Sequence, residues 1–191
     1  DLFVLVITGT DRLHHFLFDA WVDPGHPRRQ QFLEYWRALD GLLGEVGDER
    51  AEVETTPVKG LIWAKTALDP FEVVKRFRQL LAERPEEFRV IQRVIPIERV
   101  VRTDLAEIAR AAQELALTKI EPGEKFRITV EKRHTQLGSM DIIKAVAEGI
   151  DRPVDLKNPD KIVLIEVVGG LTGISVIRPD DILSVPKERG R

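Results

Sequence analysis

Hydrophobic residues change their spacing several times along the chain, and each change marks an element. Leu2–Ile7 is a short unbroken apolar run, the pattern of a buried strand. Phe16, Leu17, Phe18 and Trp21 suggest a helix, which Asp23-Pro24-Gly25-His26-Pro27 breaks. Gln31–Val46 carries Phe32, Tyr35, Trp36, Leu39, Leu42 and Leu43 at helical spacing and stops at Gly47. Two short extended runs, Ala51–Thr56 and Gly60–Thr66, flank a turn and predict a hairpin. At Asp69-Pro70 an aspartate cap meets a proline in the first turn, with Glu72 close behind. The helix that follows has Phe71, Val74, Phe77 and Leu81 on one stripe, and Pro85 lies just past its end. Phe88–Ile95 returns to strand, so the order is β-α-β-β-α-β, the ferredoxin-like split βαβ pattern.

A second unit begins near Pro96. Thr103 or Asp104 caps a helix with Leu105, Ile108, Ala112, Leu115 and Ala116 facing inward, and Pro122-Gly123 ends it. Lys125–Arg133 alternates, with Phe126, Ile128 and Val130 on one face and Arg127, Thr129, Glu131 and Arg133 on the other. Ser139 caps a helix with the stripe Met140, Ile143, Val146 and Ile150. Ile162–Val168 reads as a strand covered on both faces, Gly169-Gly170 as a turn, and Ile174–Ile177 as the last strand. Strand 125–133, helix 139–150 and strand 162–168 predict a right-handed crossover between parallel strands. The fold class expected is α+β: a ferredoxin-like domain over 1–95, an α/β domain over 96–186, and a frayed tail over 187–191.

Composition narrows the chemistry. With 191 residues the chain has room for one or two domains. The absence of Cys excludes disulfides, Cys-ligated zinc, iron–sulfur clusters and a thiol nucleophile. A formal charge of −3 excludes a wholesale basic coat but leaves room for a local basic site. The acidity lies in residues 1–96, where 13 basic side chains face 16 acidic ones, whereas residues 97–191 hold 16 of each. No apolar run reaches the roughly 18 residues a bilayer needs, and no basic segment precedes the first one, so a soluble, cytoplasmic protein without membrane contact is expected. One Asn, one Met and an excess of Arg over Lys fit a thermophile cytosol.

Catalytic signatures are weak. His14-His15 offers two imidazoles, but adjacent residues seldom face one ion and no third ligand follows at a zinc-like spacing. Gly169-Gly170-Leu171-Thr172-Gly173 is rich in glycine, yet strands lie on both sides of it, which favours a tight turn over a phosphate loop. Glu86-Glu87 reads as a solvated corner rather than an acid/base pair. Lys132-Arg133-His134-Thr135-Gln136 before Ser139 stands out more. It lies where the first strand of the crossover unit ends and its helix begins, the place where α/β units gather ligands and where free backbone N–H groups favour phosphate. Arg127 shares a strand face with Arg133. A solvated basic strand end is the bland alternative.

Phe126–Arg133, the Ser139–Ile150 helix, Val154-Asp155-Leu156-Lys157-Asn158-Pro159-Asp160 and the two strands after it resemble a THUMP domain, an RNA-binding module of tRNA-modifying proteins. The likeness covers about residues 96–185. The stretches DPFEVVKRFRQL and FRVIQRVIPIERVV resemble the stand-alone THUMP proteins that assist tRNA cytidine acetylation, which place a ferredoxin-like domain first. His14 to Pro27 departs from that pattern. The resemblance implies binding of tRNA at its acceptor-stem end and presentation to a separate RNA acetyltransferase or other tRNA-modifying enzyme. It implies no catalysis and no cofactor in this chain. The RNA contacts expected are Lys132, Arg133, His134, Gln136 and Ser139, with Arg127, Arg102, Lys157 and Lys161 as a rim. Arg89 and Arg93, of equal parity on the last strand of the first domain, extend the set. Two alternatives stay open: an RNA-binding subunit of a methyltransferase, thiolation or deaminase system, and a protein-interaction adaptor that touches no RNA.

Overall fold

The computed structural model describes residues 3–9, 23–27, 29–58, 61–89 and 91–190. The helical reading of Phe16–Trp21 and the imidazoles of His14 and His15 lie outside these residues. The chain divides into two compact units, Asp1–Pro96 with Ile182–Arg191, and Ile97–Asp181.

In the first unit, β1 (Phe3–Gly9), α1 (Arg29–Glu45), β2 (Glu52–Thr55), β3 (Leu61–Thr66), α2 (Pro70–Glu83) and β4 (Ile91–Ile97) follow the split βαβ order. Its sheet runs β2-β3-β1-β4 and gains one further strand, β9 (Leu183–Ser184), on β4. The start of α2 is as its sequence dictates: Asp69 Oδ1 accepts from the Phe71 N–H at 2.8 Å, and Pro70 occupies the first turn, where no N–H is needed. Pro70, Val73, Val74, Phe77 and Leu81 are its buried residues, and Phe77 meets Phe88 edge to face with ring centroids 5.9 Å apart. Phe88 is therefore core but not strand. Pro85 opens a 3-10 turn over Pro85–Phe88, and Arg89 follows it before β4, Ile91–Ile97.

The second unit holds β5 (Arg99–Arg102), α3 (Leu105–Lys119), β6 (Phe126–Arg133), α4 (Ser139–Ala147), β7 (Lys161–Val168) and β8 (Leu171–Ile177). The sheet order is β5-β8-β7-β6, with β6 and β7 parallel and the other pairs antiparallel. Register puts Phe126, Ile128 and Val130 on the same face as Val163, Ile165 and Val167, and this face packs with Ile108, Ala112 and Leu115 of α3 and Ile142 and Val146 of α4. The opposite face is also buried, at Leu164, Ser175 and Ile177. Gly173 explains part of that closeness, because a Cβ there would meet the Ile97 side chain at 3.0–3.2 Å. Asp104, not Thr103, caps α3, accepting from the Ala106 and Glu107 N–H groups, both at 3.0 Å. Asp104→Ala is expected to lower stability by about 1 kcal/mol, read from urea unfolding.

Several expectations change. Gly138 is the N-cap of α4 and Ser139 its first helical residue, with no side-chain cap bond. The inward stripe of α4 is Ile142 and Val146, while Met140 is 59% exposed. Met140 lies two residues before Ile142, about 200° round the helix, so it turns away from the sheet. Beyond β8, residues 182–190 are not a frayed end. They contribute β9 and α5 (Val185–Arg189) to the first unit, with Leu183 and Val185 in its core. Arg78 Nε donates to Glu188 at 3.2 Å, and the Arg189 guanidinium donates to the Pro85 carbonyl. The unit boundaries thus differ from 1–95 and 96–186, since Ile182 onward belongs with the first unit.

Candidate nucleic-acid interface

The register Arg102–Leu171–Val168–Arg133 lines up the carboxyl ends of β5, β7 and β6 at one end of the second sheet. The Gly169-Gly170 hairpin joins them. Gly169, at φ 61, turns without a Cβ penalty and donates to the Arg133 carbonyl at 2.9 Å, while the Thr103 N–H donates to the Gly170 carbonyl at 2.9 Å. The glycine-rich stretch is therefore a tight turn. Three strand spacings of about 4.8 Å separate Arg102 from Arg133 along this rim, roughly 14 Å in all.

Lys132 and Arg133 are neighbours with opposite fates, because successive strand residues point to opposite faces. Lys132 turns to the α4 side. It is exposed, and its Nζ donates to the Leu137 carbonyl at 2.8 Å, which ties down the connection into α4. Arg133 turns to the other face and bridges two carboxylates, Glu166 Oε2 through Nη1 and Glu131 Oε2 through Nη2, each at 3.0 Å. The Glu166 side chain has no exposed surface and that of Arg133 keeps 30%. Arg133 is thus an internal counter-ion, not a free phosphate ligand. The signal was present in the sequence: Glu166 is the single charge in the buried run Ile162–Val168, and a buried charge demands a partner.

The connection that follows is short and constrained. His134 adopts φ 56, the one positive φ of a non-glycine residue among the described residues, and is exposed. Thr135 Oγ1 accepts from the Leu137 N–H at 3.2 Å, and Gln136 points to solvent. Ser139 is half-buried and Met140 exposed at the first turn of α4. Asp141 also belongs to that turn, and its carboxylate lies against Gly138, so an incoming anion would share the helix end with a resident one. On the far edge Arg102 is 81% exposed in its side chain, with one surface bond to Glu107 Oε1 at 3.1 Å.

The remaining predicted contacts do not converge here. Arg127, Lys157 and Lys161 sit at the opposite end of the same sheet, and six residues of β6, roughly 20 Å, separate Arg127 from Arg133. Arg127 Nη1 donates to the Leu156 carbonyl at 3.2 Å, and Lys161 lies 4.0 Å from Glu124 Oε1. Val154–Asp160 is a clamp at that end. Asp155 Oδ1 accepts from the Lys157 and Asn158 N–H groups at 3.0 and 2.9 Å, and Asp160 Oδ2 accepts from the Lys125 N–H at 2.8 Å. The Asn158 and Lys157 N–H groups, then Lys125, hold the Asp155 carboxyl below its ordinary range. This brace is complete above the ordinary carboxylate pKa and is lost as pH falls through the depressed one. The most distinctive segment of the sequence therefore carries structural bonds, with only Lys157 left exposed as a cation. Arg89 is not on a strand. It follows the 3-10 turn, where its Nε donates to the Glu86 carbonyl at 2.9 Å, whereas Arg93 lies half-buried on β4 opposite Ser184. The shared parity expected for the pair does not arise.

Residues 102–177 match the THUMP domain family. The second unit carries a THUMP domain. The match starts at the last residue of β5 and ends at the last residue of β8, so it takes in the whole rim described above. Over 129 residues, 64% of this chain, the sequence is 28% identical to an uncharacterized protein of Schizosaccharomyces pombe, covering 45% of that protein. Three solved structures share the fold across both units. PH1313 from Pyrococcus horikoshii Ot3 superimposes with a TM-score of 0.60 at 20% identity, covering 95% of this chain and 55% of that one. A 4-thiouridine synthetase crystallised with RNA and ATP gives 0.60 at 13% identity, covering 96% and 42%. TrmN from Thermus thermophilus gives 0.55 at 20% identity, covering 92% and 46%. The chain spans about half the length of these proteins. Among the described residues no group of three or more His, Asp or Glu is placed to hold a metal ion, and no helix is long and apolar enough to cross a membrane.

Proposed function

We propose that this chain binds tRNA through its THUMP domain and presents it, in the cytoplasm, to a separate modifying enzyme. The observation that carries the reading is the rim at the carboxyl ends of β5, β6 and β7 inside that domain, where Lys132, His134, Gln136 and Arg102 are all exposed. Lys132 and Arg102 suit phosphate, and Gln136 suits a 2′-OH or a base edge. The 4-thiouridine synthetase that shares the fold was crystallised with RNA, which supports the same ligand class.

Lys132→Ala is expected to weaken tRNA binding and to reduce the slope of log affinity against log salt by about 1, since one phosphate contact is lost. Filter binding across a salt series measures both quantities. Unchanged affinity and slope would move the RNA site elsewhere, and no binding by the wild-type chain would favour an adaptor that touches no RNA.

For the modification we propose N4-acetylation of a cytidine, on the resemblance of Asp69–Leu80 and Phe88–Val101 to the acetylation adaptors. The chain itself takes no catalytic step in this reading. Incubated alone with tRNA, acetyl-CoA and ATP, it is expected to make no acetylcytidine. Added to an RNA acetyltransferase of the same cell, it raises acetylation of tRNA by holding the reactants together. Product made by this chain unaided would reveal a catalytic site, and an acetyltransferase indifferent to it would point to another modification.

A further inference from the structure

The sheet of the second unit ends on β6, and the backbone of that strand is only partly covered. At its start the Phe126 N–H donates to the Pro153 carbonyl at 2.9 Å and the Asp155 N–H donates to the Phe126 carbonyl at 3.0 Å, which makes a parallel bridge between Phe126 and Val154 on the outer side. In a parallel ladder a residue uses both its N–H and its C=O toward one neighbour, and the next residue uses both toward the other. Phe126 therefore fixes the phase of the strand. Arg127, Thr129, Glu131 and Arg133 bond to β7, and Ile128, Val130 and Lys132 aim their backbone groups outward. Among the described residues those three outward N–H groups have no backbone partner. Ile128 and Val130 are half-buried, although they lie on the core face, because they stand at its open rim.

We propose that this edge of β6 is a docking strand for an extended acidic segment of a partner protein, which adds a strand beside Ile128, Val130 and Lys132. An open edge of three rungs is a ready template for such addition, with main-chain bonds giving affinity and alternate side chains giving selectivity. The charges choose the occupant. Lys132, exposed at one end of the rungs, and Arg127 at the other frame the edge with cations, while Lys125 is shared with Asp155 at 3.4 Å and Glu131, between them, is bonded to Arg133. The exposed rims of Ile128 and Val130 accept apolar side chains at alternate positions of the incoming strand.

A second copy of this chain fits poorly. Antiparallel self-pairing has three registers that use at least two of the outward residues. Pairing Ile128 with Val130 drives the second strand into the segment that Val154 already occupies. Pairing Ile128 with Lys132 sets Arg127 opposite Arg133, and pairing Val130 with Lys132 sets Glu131 opposite Glu131. Like charges directly opposite destabilise a strand pair. Because Arg133 and Glu131 are already paired with each other, this repulsion is partial, and a second copy remains an outcome of the test: protection of the outward amides that rises with protein concentration would overturn the acidic occupant.

The test uses the full chain and a blocked synthetic octapeptide of alternating Val and Glu, with the Val/Lys version as control. Backbone amide hydrogen exchange of the free protein is expected to be fast at Ile128, Val130 and Lys132 and slow at Arg127, Thr129, Glu131 and Arg133. The Val/Glu peptide is expected to slow the first three at least tenfold, and the Val/Lys peptide to leave them unchanged. Val130→Pro removes an outward N–H without touching the ladder to β7, so it is expected to abolish the peptide effect and keep tRNA affinity. Three results would overturn the proposal: outward amides already protected in the free chain, no protection by the Val/Glu peptide, or equal protection by both peptides. Protection of the same amides by tRNA would also do so, by making the edge part of the RNA site. Loss of tRNA binding in the wild-type chain would instead strike the proposed function and leave the exchange pattern to be judged on its own.

Discussion

Arg133→Met is expected to lower the unfolding free energy by about 3 kcal/mol, because it strips a cation from two carboxylates of which one is fully buried. The figure stays at the low end for a broken buried pair since Arg133 keeps 30% of its side-chain surface in solvent. Urea unfolding of the whole chain measures it. Arg133→Lys is expected to recover only part of the loss, since an ammonium cannot present the planar fork that reaches Glu131 and Glu166 together. Lys132→Ala, one residue away, is expected to change stability by less than about 0.5 kcal/mol while weakening RNA binding. The pair of variants therefore separates a fold residue from a ligand residue. A stable Arg133→Met protein with weakened tRNA affinity would reverse the assignment and return Arg133 to the RNA surface.

The second large effect is expected at the other end of the chain. Ending the protein at Asp181 removes Leu183 and Val185, both buried in the core of the first unit, together with the two-residue pairing of β9 on β4. It also removes the bonds of Arg78 to Glu188 and to the Ile182 carbonyl. Two buried aliphatic side chains are worth about 3–6 kcal/mol together. Thermal unfolding is expected to show the first unit melting early while the THUMP domain keeps its transition. An unchanged thermogram would mean that the terminal strand adds nothing to the sheet it joins. A fragment starting at residue 96 is for the same reason a poor probe of the THUMP domain alone, because it carries Leu183 and Val185 away from their core. The 97–181 piece is the cleaner comparison for asking whether the first unit aids RNA binding.

Local pattern revealed most of the elements. Asp69-Pro70 announced a helix start in residues that can do little else, and the alternation over Phe126–Val130 named the buried face of β6 before any partner was known. The sheet order β2-β3-β1-β4 follows from β-α-β-β-α-β by the usual crossover rules. What stayed hidden depends on residues far apart in sequence. Parity shows that Lys132 and Arg133 face opposite ways, but only the register of β6 on β7 places Glu166 beside Arg133. Periodicity places Met140 within a stripe, but only the position of α4 over the sheet decides that Ile142 and Val146 face in. Phe88 reads as strand by composition, and the conformation set by Pro85 makes it the end of a 3-10 turn. The pairing of β9 with β4 spans about ninety residues and leaves no trace in either segment.

That long pairing sets an order of events during synthesis. The sheet of the first unit cannot be completed until residues near Val185 have been made, whereas everything the THUMP domain pairs with lies between Ile97 and Asp181. At ribosomal speeds of roughly 5–20 residues per second, β4 waits about 5–18 s with its outer edge bare. Most of that wait is spent making the inserted domain itself: its last strand ends at Ile177, only six residues before β9 begins at Leu183, so the two units are completed almost together. Through that wait the bare edge of β4 is a place where a holding chaperone has something to hold.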